Sequence, residues 1–352
     1  MTFTPGTYTR SATTVTATVT EEIFVCPYQY TTTTTVLSTN VITVIATTPT
    51  STWAPPPSSS PPPAPAQNAA SSPAPPPAPS SSSSSGFATN GNKWAMTYTP
   101  YTASGDCKTA DEVMADITII AGKGFTTIRL YATDCSGLQN VGAACQANNL
   151  KMIIGVFIES SGISGAQPQV TEIAEWGQSG MWDLVILAVV GNEAIFNGYC
   201  SADDLAGFIS SAKSTWQQAG YTGPVTTTEP LSTLQECAGS LCGVIDVVAC
   251  NIESFFTSSV VAESAGTFVA GQLELTGQCC PGLTAYNLES GWPSAGSPNG
   301  QAIPGAQQQQ DAILDIMDKA GEFTVFFSYS NDPWKAPGPF DVEGNFGCID
   351  VF

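Results

Sequence analysis

The run Leu184-Val185-Ile186-Leu187-Ala188-Val189-Val190, which stops at Gly191-Asn192-Glu193, decides how this chain folds. It is apolar at every position rather than at alternate positions, as is typical of a parallel strand that is buried on both faces. Strands of the same kind are predicted along the rest of the chain, and with this run they number eight: residues 93–98, 126–131, 150–157, 184–190, 224–229, 244–251, 283–288 and 323–329.

Helical stretches separate these strands, and the first of them is opened by a capping box at Thr109 and Glu112. Eight buried parallel strands with intervening helices predict an α/β fold, the (β/α)8 TIM barrel. The main alternative is an open, doubly wound sheet. No glycine-rich phosphate-binding turn follows the first strand, so the sequence favours the barrel.

The composition divides the 352 residues into three parts. Residues 1–50 are rich in Thr and Val but poor in core-forming residues, and we expect an arm that is mostly disordered or weakly β. Residues 51–86 are almost entirely Pro, Ser and Ala, which predicts an extended polyproline II linker. The barrel is expected over residues 87–352.

Charge and residue content exclude several classes of function. The chain has 29 acidic and 9 basic residues, a net charge of −20, so neither nucleic acid nor an anionic membrane surface is an expected partner. The chain contains no histidine, which excludes Ser-His-Asp and Cys-His catalysis and most zinc sites. Carboxylates must therefore carry any acid–base chemistry, and no metal or organic cofactor is expected.

Eleven cysteines without a CxxC spacing suggest disulfides formed in an oxidising compartment, with scattered buried thiols as the alternative. Pairing cannot be deduced from the sequence, although Cys237 with Cys242, and Cys107 with Cys135, are conceivable pairs. No signal peptide is visible at the start and no stretch is long and apolar enough to span a bilayer. We expect a secreted monomer, either extracellular or in a cell wall.

Polar residues follow the predicted strands, and in a barrel these strand ends form one rim where active sites lie. In Ala285-Tyr286-Asn287-Leu288-Glu289-Ser290-Gly291-Trp292-Pro293-Ser294, the strand is expected to end at an acid and pass into a turn. The acids of this rim have no visible Lys or Arg partners, an arrangement that is costly unless it is functional. The rim residues are Tyr98, Arg129, Tyr131, Asn192, Glu193, Glu229, Asn251, Glu253, Glu289 and Asp332.

Glu193 and Glu289, at the ends of the fourth and seventh strands, suggest glycoside cleavage. A retaining glycosidase holds two carboxyl groups about 5 Å apart, and an inverting enzyme leaves a wider gap for water. Trp292 would cover the C–H face of a sugar ring beside Glu289, and Asn192 would bind the sugar 2-hydroxyl. The alternative is that both acids belong to ordinary solvated loops.

Residues 87–352 resemble glycoside hydrolase family 17, the β-1,3-glucanases of plant and fungal type. The resemblance is carried by six motifs: Tyr98-Thr99-Pro100, Ile128-Arg129-Leu130-Tyr131 with Asp134-Cys135, Val190-Gly191-Asn192-Glu193, Glu289-Ser290-Gly291-Trp292-Pro293-Ser294, Asp332-Pro333-Trp334-Lys335 and Val342-Glu343-Gly344-Asn345-Phe346-Gly347. The Glu-Ser-Gly-Trp-Pro-Ser motif is the most specific of them.

The resemblance implies a retaining mechanism on β-1,3-glucan, with Glu193 as the acid/base and Glu289 as the nucleophile. Glu193 should then have a raised pKa, because it must be protonated while Glu289 is ionised. Lys335 is expected to hold Glu343 or Asp332. The full set of predicted substrate-binding residues is Tyr98, Tyr131, Asn192, Glu229, Asn251, Phe256, Trp292, Asp332, Lys335 and Glu343, of which Tyr98, Tyr131, Phe256 and Trp292 are candidate sugar platforms.

The sequence departs from the family pattern at two places. Asn331-Asp332 stands where the family usually has Asp-Glu, and Glu253 stands where it often has an aromatic residue, His or Pro. The shorter Asp332 could alter a contact with Lys335 or Glu289, and Glu253 could alter a subsite. Two alternatives to an endo-β-1,3-glucanase stay open: a glucan transglycosylase using the same intermediate, and a non-catalytic glucan-binding wall protein.

Overall fold

The computed structural model describes residues 6–10, 13–17, 87, 89 and 91–352. Near the start of the chain, the short strands Gly6–Arg10 and Thr13–Ala17 pair in antiparallel fashion. The rest of the predicted Thr/Val arm and the predicted Pro/Ser/Ala linker lie outside the described residues.

The predicted TIM barrel is confirmed, because eight strands close in chain order into one parallel barrel. The strands are β1 Ala95–Tyr98, β2 Thr127–Leu130, β3 Lys151–Val156, β4 Val185–Asn192, β5 Val225–Pro230, β6 Val248–Asn251, β7 Ala285–Ser290 and β8 Thr324–Phe326. The helices between them are α1 Ala110–Gly122, α2 Gly137–Ala147, α3 Gly162–Trp176, α4 Ala202–Gln218, α5 Leu231–Leu241, α6 Ala265–Cys279 and α7 Ala306–Ala320.

Most strand boundaries differ from the prediction by a few residues, and the ends of β4 and β7 carry site residues. Strand β4 continues to Asn192, and β7 continues through Glu289 to Ser290. Glu289 therefore lies within the strand rather than after it, because its backbone pairs with Asn251 on β6. A strand fixes its side chains more firmly than a loop does.

Burial on both faces of the sheet explains the continuous apolar runs. Side chains such as Leu187, Val189 and Leu288 fill the barrel interior, while their neighbours pack against the helices. Phe87 stacks on Tyr286 with ring centroids 4.4 Å apart and joins this interior cluster. The strand ends that bear the acids are left as the open rim.

Disulfides Cys107–Cys135 and Cys242–Cys280 are present, so the suggested Cys107–Cys135 pairing is confirmed. The suggested Cys237–Cys242 pair is wrong, because Cys242 bonds instead to the cysteine that follows α6. In the described part of the chain the other cysteines are free thiols: Cys145, Cys200, Cys237, Cys250, Cys279 and Cys348. Among the helices of the same part, none has the length and apolar character needed to cross a membrane.

Candidate active site

A cleft of about 780 Å³ opens at the carboxyl ends of the barrel strands. Its walls come mainly from the segments that follow β1, β2, β3 and β8, together with Glu289 of β7. Six residues predicted from the sequence line it: Tyr98, Tyr131, Asn192, Glu289, Lys335 and Glu343. The sequence therefore identified part of this cleft.

A bulge at the end of β4 directs Glu193 away from the sheet. The register between β4 and β5 shifts between Val189 and Asn192, and Gly191 has a left-handed φ of 85°. Glu193 also has a positive φ, 53°, which is unusual for a residue with a side chain. Its N–H donates to the Thr228 carbonyl at 2.9 Å, so the bend is fixed by the neighbouring strand. Backbone strain of this kind is typical of functional positions.

Glu289 has a cationic partner, which corrects the expectation that the rim acids have none. Nη1 of Arg129 lies 3.0 Å from Glu289 Oε1 and also donates to the Leu288 carbonyl at 2.5 Å. The guanidinium stacks 4.5 Å from the Tyr131 ring centroid, and Arg129 is only 2% exposed. A buried charge needs such a partner, and Arg129 supplies it directly beneath the cleft.

Hydrogen bonds connect Glu289 to Glu193 through three side chains. Nη2 of Arg129 donates to Asn192 Oδ1 at 2.7 Å, and Asn251 Nδ2 donates to the same oxygen at 3.1 Å. Asn251 Nδ2 also donates to Glu193 Oε1 at 2.9 Å. The two glutamates, predicted from distant parts of the sequence, are thus held in one network. Because Asn192 Oδ1 accepts both bonds, its amide N–H groups can serve as donors to a ligand.

The predicted rise in the pKa of Glu193 is confirmed. Burial, followed by the nearby negative charge of Glu289, raises this pKa from 4.5 to about 7, although the Asn251 hydrogen bond opposes the rise. A carboxyl group with a pKa near 7 can give and take a proton at neutral pH. Glu193 therefore suits acid–base work, whereas Glu289 is a carboxylate paired with a guanidinium.

Glu229 was predicted to bind substrate, but the structure buries it completely. Its two carboxylate oxygens accept the backbone N–H groups of Ile195 and Phe196 at 2.9 and 3.1 Å. Burial raises its pKa to about 7, while these backbone donors oppose the rise. Glu229 thus fixes the loop after Glu193 and does not face a ligand.

Glu253, one of the two departures from the family pattern, also has a structural contact. One carboxylate oxygen accepts the Gly291 N–H at 3.0 Å, so it holds the turn after β7. The other oxygen is buried with no hydrogen-bond partner. Burial, followed by the charge of Glu289, holds the pKa of Glu253 well above its usual range. A protonated acid at this position avoids a further negative charge beside Glu289.

The predicted sugar platforms require correction. Trp292 is fully buried, and its indole N–H donates to the Ile303 carbonyl at 2.9 Å, so it supports the loop instead of covering a sugar. Tyr98 is 1% exposed, and its hydroxyl donates to Asp116. Phe256 is exposed but does not line the cleft. Tyr131 does line it.

Lys335 was expected to hold either Glu343 or Asp332, and the structure pairs it with Asp332. Lys335 Nζ lies 2.9 Å from Asp332 Oδ2, and the Thr99 hydroxyl donates to Asp332 Oδ1 at 3.1 Å. The shorter acid therefore keeps its contact with Lys335. Asp332 itself is buried outside the cleft lining, while Lys335 and Glu343 line the cleft.

Several cleft residues were not identified as site residues from the sequence. Tyr101 and Trp334 form an edge-to-face pair with ring centroids 5.1 Å apart. The suggested Cys107–Cys135 pairing was the available signal, because it joins the segment after Tyr101 to Asp134. Acids and an amide complete this part of the cleft: Asp134, Glu159, Gln169 and Glu172. Among the described residues, no group of three or more Cys, Asp or Glu side chains is placed to hold a metal.

A parallel eight-stranded barrel with two linked glutamates at the ends of β4 and β7 defines a glycoside hydrolase type of domain. The chain belongs to the family described as the BtgE/BtgC glycoside hydrolase domain, whose model matches residues 95–347.

Curated relatives agree with this class. The chain is 54% identical over 262 residues to a probable beta-glucosidase btgE of Neosartorya fischeri, covering 74% of this chain and 47% of that protein. A probable beta-glucosidase btgE of Aspergillus terreus is 49% identical over 351 residues, covering 100% of this chain and 61% of that protein. The chain thus spans about half the length of the curated relatives it matches.

Two solved structures share the fold at low sequence identity. The glycoside hydrolase family 17 beta-1,3-glucanosyltransferase of Rhizomucor miehei has a TM-score of 0.63 at 18% identity, over 73% of this chain and 92% of that one. An endo-laminarinase of Formosa has a TM-score of 0.61 at 12% identity, over 73% and 82% respectively.

Proposed function

We propose that the barrel is a retaining glycosidase of the family 17 type that acts on β-1,3-glucan, in a cell wall or outside the cell. The observation that carries the proposal is the network from Glu289 through Arg129, Asn192 and Asn251 to Glu193. It joins a carboxylate paired with arginine to a carboxyl group whose pKa is about 7. A retaining mechanism needs these two different states in one pair of acids.

In the first step, Glu193 donates its proton to the glycosidic oxygen while Glu289 attacks the anomeric carbon. The bond between that carbon and the leaving chain breaks, and a covalent glycosyl ester on Glu289 forms. Water then attacks the anomeric carbon while Glu193 takes its proton, and the Glu289 carboxylate is released. Asn192 is suited to bind the sugar 2-hydroxyl, where hydrogen bonds strengthen in the transition state.

Two features support a glucan chain as the substrate. The cleft of about 780 Å³ lies in the range of pockets that hold ligands much larger than one sugar ring. The Rhizomucor miehei enzyme has also been solved, as an active-site mutant, in complex with laminaritriose. Relatives in the same family carry the name beta-glucosidase, which would require only a terminal glucosyl unit. The size of the cleft favours the longer substrate.

Transglycosylation remains a second candidate, since an acceptor sugar hydroxyl can replace water in the second step. The structural neighbour from Rhizomucor miehei, named a glucanosyltransferase, supports keeping it.

The experiment is digestion of laminarin and of a laminari-oligosaccharide by residues 87–352. NMR follows the anomeric configuration of the newly formed reducing ends, and a β configuration before mutarotation would support retention. Products longer than the substrate would indicate transfer. Unchanged sugar release by Glu193→Gln and Glu289→Gln variants would refute both assignments.

A further inference from the structure

We propose that Thr228 is a positioning residue for Glu193, because its buried hydroxyl turns the Asn251 amide so that an N–H group, and not the oxygen, faces the Glu193 carboxyl group. Thr228 lies outside the cleft lining and acts through Asn251. The inference rests on the proposed function, since it concerns the residue assigned there as acid/base. It extends the site to β5, the strand between those that lead to Glu193 and Asn251.

Thr228 contacts both neighbouring strands at the level of the site. On one side its carbonyl accepts the Glu193 N–H at 2.9 Å. On the other side its hydroxyl lies 2.9 Å from Asn251 Oδ1. Thr228 is fully buried, and Asn251 is 5% exposed. One residue thus holds both the backbone of Glu193 and the side chain that contacts its carboxyl group.

The donors and acceptors that connect Arg129 to Thr228 have one consistent direction. The Arg129 guanidinium can only donate, so the Asn192 atom that it meets at 2.7 Å must be the oxygen. The Asn251 atom that meets the same oxygen at 3.1 Å must then be the amide nitrogen. The Asn251 oxygen therefore points to Thr228, whose hydroxyl donates because an amide oxygen can only accept. Arg129 fixes one end of this series of contacts and Thr228 the other.

The orientation of the amide decides which protonation state of Glu193 is stabilised. The Asn251 nitrogen donates to Glu193 Oε1 at 2.9 Å, and such a donor favours the carboxylate over the protonated acid. A reversed amide would present its oxygen, which can accept a hydrogen bond only from the protonated acid. The Thr228 hydroxyl therefore favours release of the proton that the leaving group must receive.

Other titratable groups interact electrostatically with Glu193, from β2, β5, β7 and the segment after β6: Arg129, Glu229, Glu289 and Glu253. Burial and the negative charges raise the pKa of Glu193, whereas the Asn251 hydrogen bond and the arginine oppose the rise. Glu229 follows Thr228 in sequence, but its side chain points to the other face of the strand. Replacing the Thr228 hydroxyl removes none of these charges, so a change in the titration of Glu193 would report the Asn251 contact.

The test is Thr228→Val in the full chain, which removes the hydroxyl and keeps the branched shape of the side chain. The titration of Glu193 should move upward by about 0.5–1 pH unit, because a hydrogen bond to the carboxylate is weakened. Carbon-13 NMR of carboxyl-labelled glutamate follows this titration, and Glu193→Gln identifies the resonance. Thr228→Ser keeps a hydroxyl and should restore the original titration.

Thr226→Val is the matched control. Thr226 lies two residues earlier on β5 and is also fully buried, and its hydroxyl donates to the Val247 carbonyl at 2.7 Å. Its loss should lower stability to a similar extent, yet leave the titration of Glu193 unchanged. If a valine variant does not fold, Thr228→Ala and Thr226→Ala provide the same comparison.

Kinetics on a laminari-oligosaccharide add a second readout. The alkaline decline of kcat/KM should move with the titration in Thr228→Val, and the rate should fall about tenfold. A shifted titration in a chain that does not cleave glucan would support this inference and refute only the proposed function. An unchanged Glu193 titration in Thr228→Val, or an equal shift in Thr226→Val, would overturn the inference.

Discussion

Arg129 and Glu289 form an ion pair beneath the cleft, with the arginine Nη1 3.0 Å from Glu289 Oε1. The same guanidinium binds Asn192 through Nη2, so one side chain connects the residue proposed as nucleophile to the strand that carries the proposed acid. The planar fork of arginine suits two partners at once, which a lysine cannot match.

We therefore expect Arg129→Met to be strongly destabilising and inactive. Removing one partner of a buried ion pair costs about 3–5 kcal/mol, because a charge is left unpaired. Lys213→Met is the control: it breaks a half-exposed pair with Asp246, whose cost should be about 1 kcal/mol or less. Urea unfolding measures both. Equal losses in the two variants would show that Arg129 has no special part in the site.

Activity should decline as the pH rises through about 7. Glu193 must be protonated to release the leaving group, and its pKa is raised to about 7 by burial and by the charge of Glu289. A pH profile of kcat/KM on a laminari-oligosaccharide measures this alkaline decline, because kcat/KM reports the pKa values of the free enzyme. A profile that stays flat to pH 9 would contradict the role assigned to Glu193.

Asn251→Ala should move the alkaline limb of that profile to higher pH. The Asn251 amide donates to Glu193 Oε1 at 2.9 Å and lowers the pKa of Glu193, so its removal lets that pKa rise further. The rate should fall at the same time, because Glu193 and Asn192 both lose a contact that positions them. If the alkaline limb stays at the same pH while the rate falls, Asn251 only positions Glu193 and does not lower its pKa.

Glu193→Gln should stabilise the fold at alkaline pH while removing activity. The carboxyl pKa is about 7 in the folded protein against an ordinary 4.5, so the folded state keeps a proton that the unfolded state releases. Stability contributed by this proton is present below pH 4.5 and is lost as the pH rises through about 7. Above pH 7 the variant therefore avoids a loss in the free energy of unfolding on the order of 3 kcal/mol at most. Thermal unfolding of both proteins at pH 4 and pH 8 measures it, and a gain that is equal at the two pH values would contradict this origin.

The two disulfides should affect function differently. Replacing either pair by serine should cost about 4 kcal/mol, since the bonded cysteines are 28 and 38 residues apart. Only the Cys107–Cys135 pair joins loops of the cleft, so only its loss should also raise KM. Calorimetric unfolding together with kinetics on laminari-oligosaccharides tests this. An equal effect on KM would show that the cleft loops do not depend on that bond.

The strands and the two glutamates could be predicted because their signals are local. Continuous apolar runs identify buried parallel strands, and an acid at a strand end identifies the rim. Where a side chain at a turn packs depends on residues that are distant in sequence. Trp292 and Glu229 stand at strand ends in sequence, yet one packs into the core and the other caps backbone N–H groups. The partnership of Arg129 with Glu289 depends on barrel closure, so no pattern within either strand contains it.

Azide rescue of two alanine variants tests the central claim most directly, namely that Glu193 is the acid/base and Glu289 the nucleophile. The substrate is a β-linked laminaribioside with a dinitrophenyl leaving group, which departs without protonation. In Glu193→Ala, azide should attack the covalent intermediate and give the β-glycosyl azide. In Glu289→Ala, azide should attack the substrate directly and give the α-glycosyl azide. The reverse pair of anomers, or full activity of either variant without azide, would contradict the assignment.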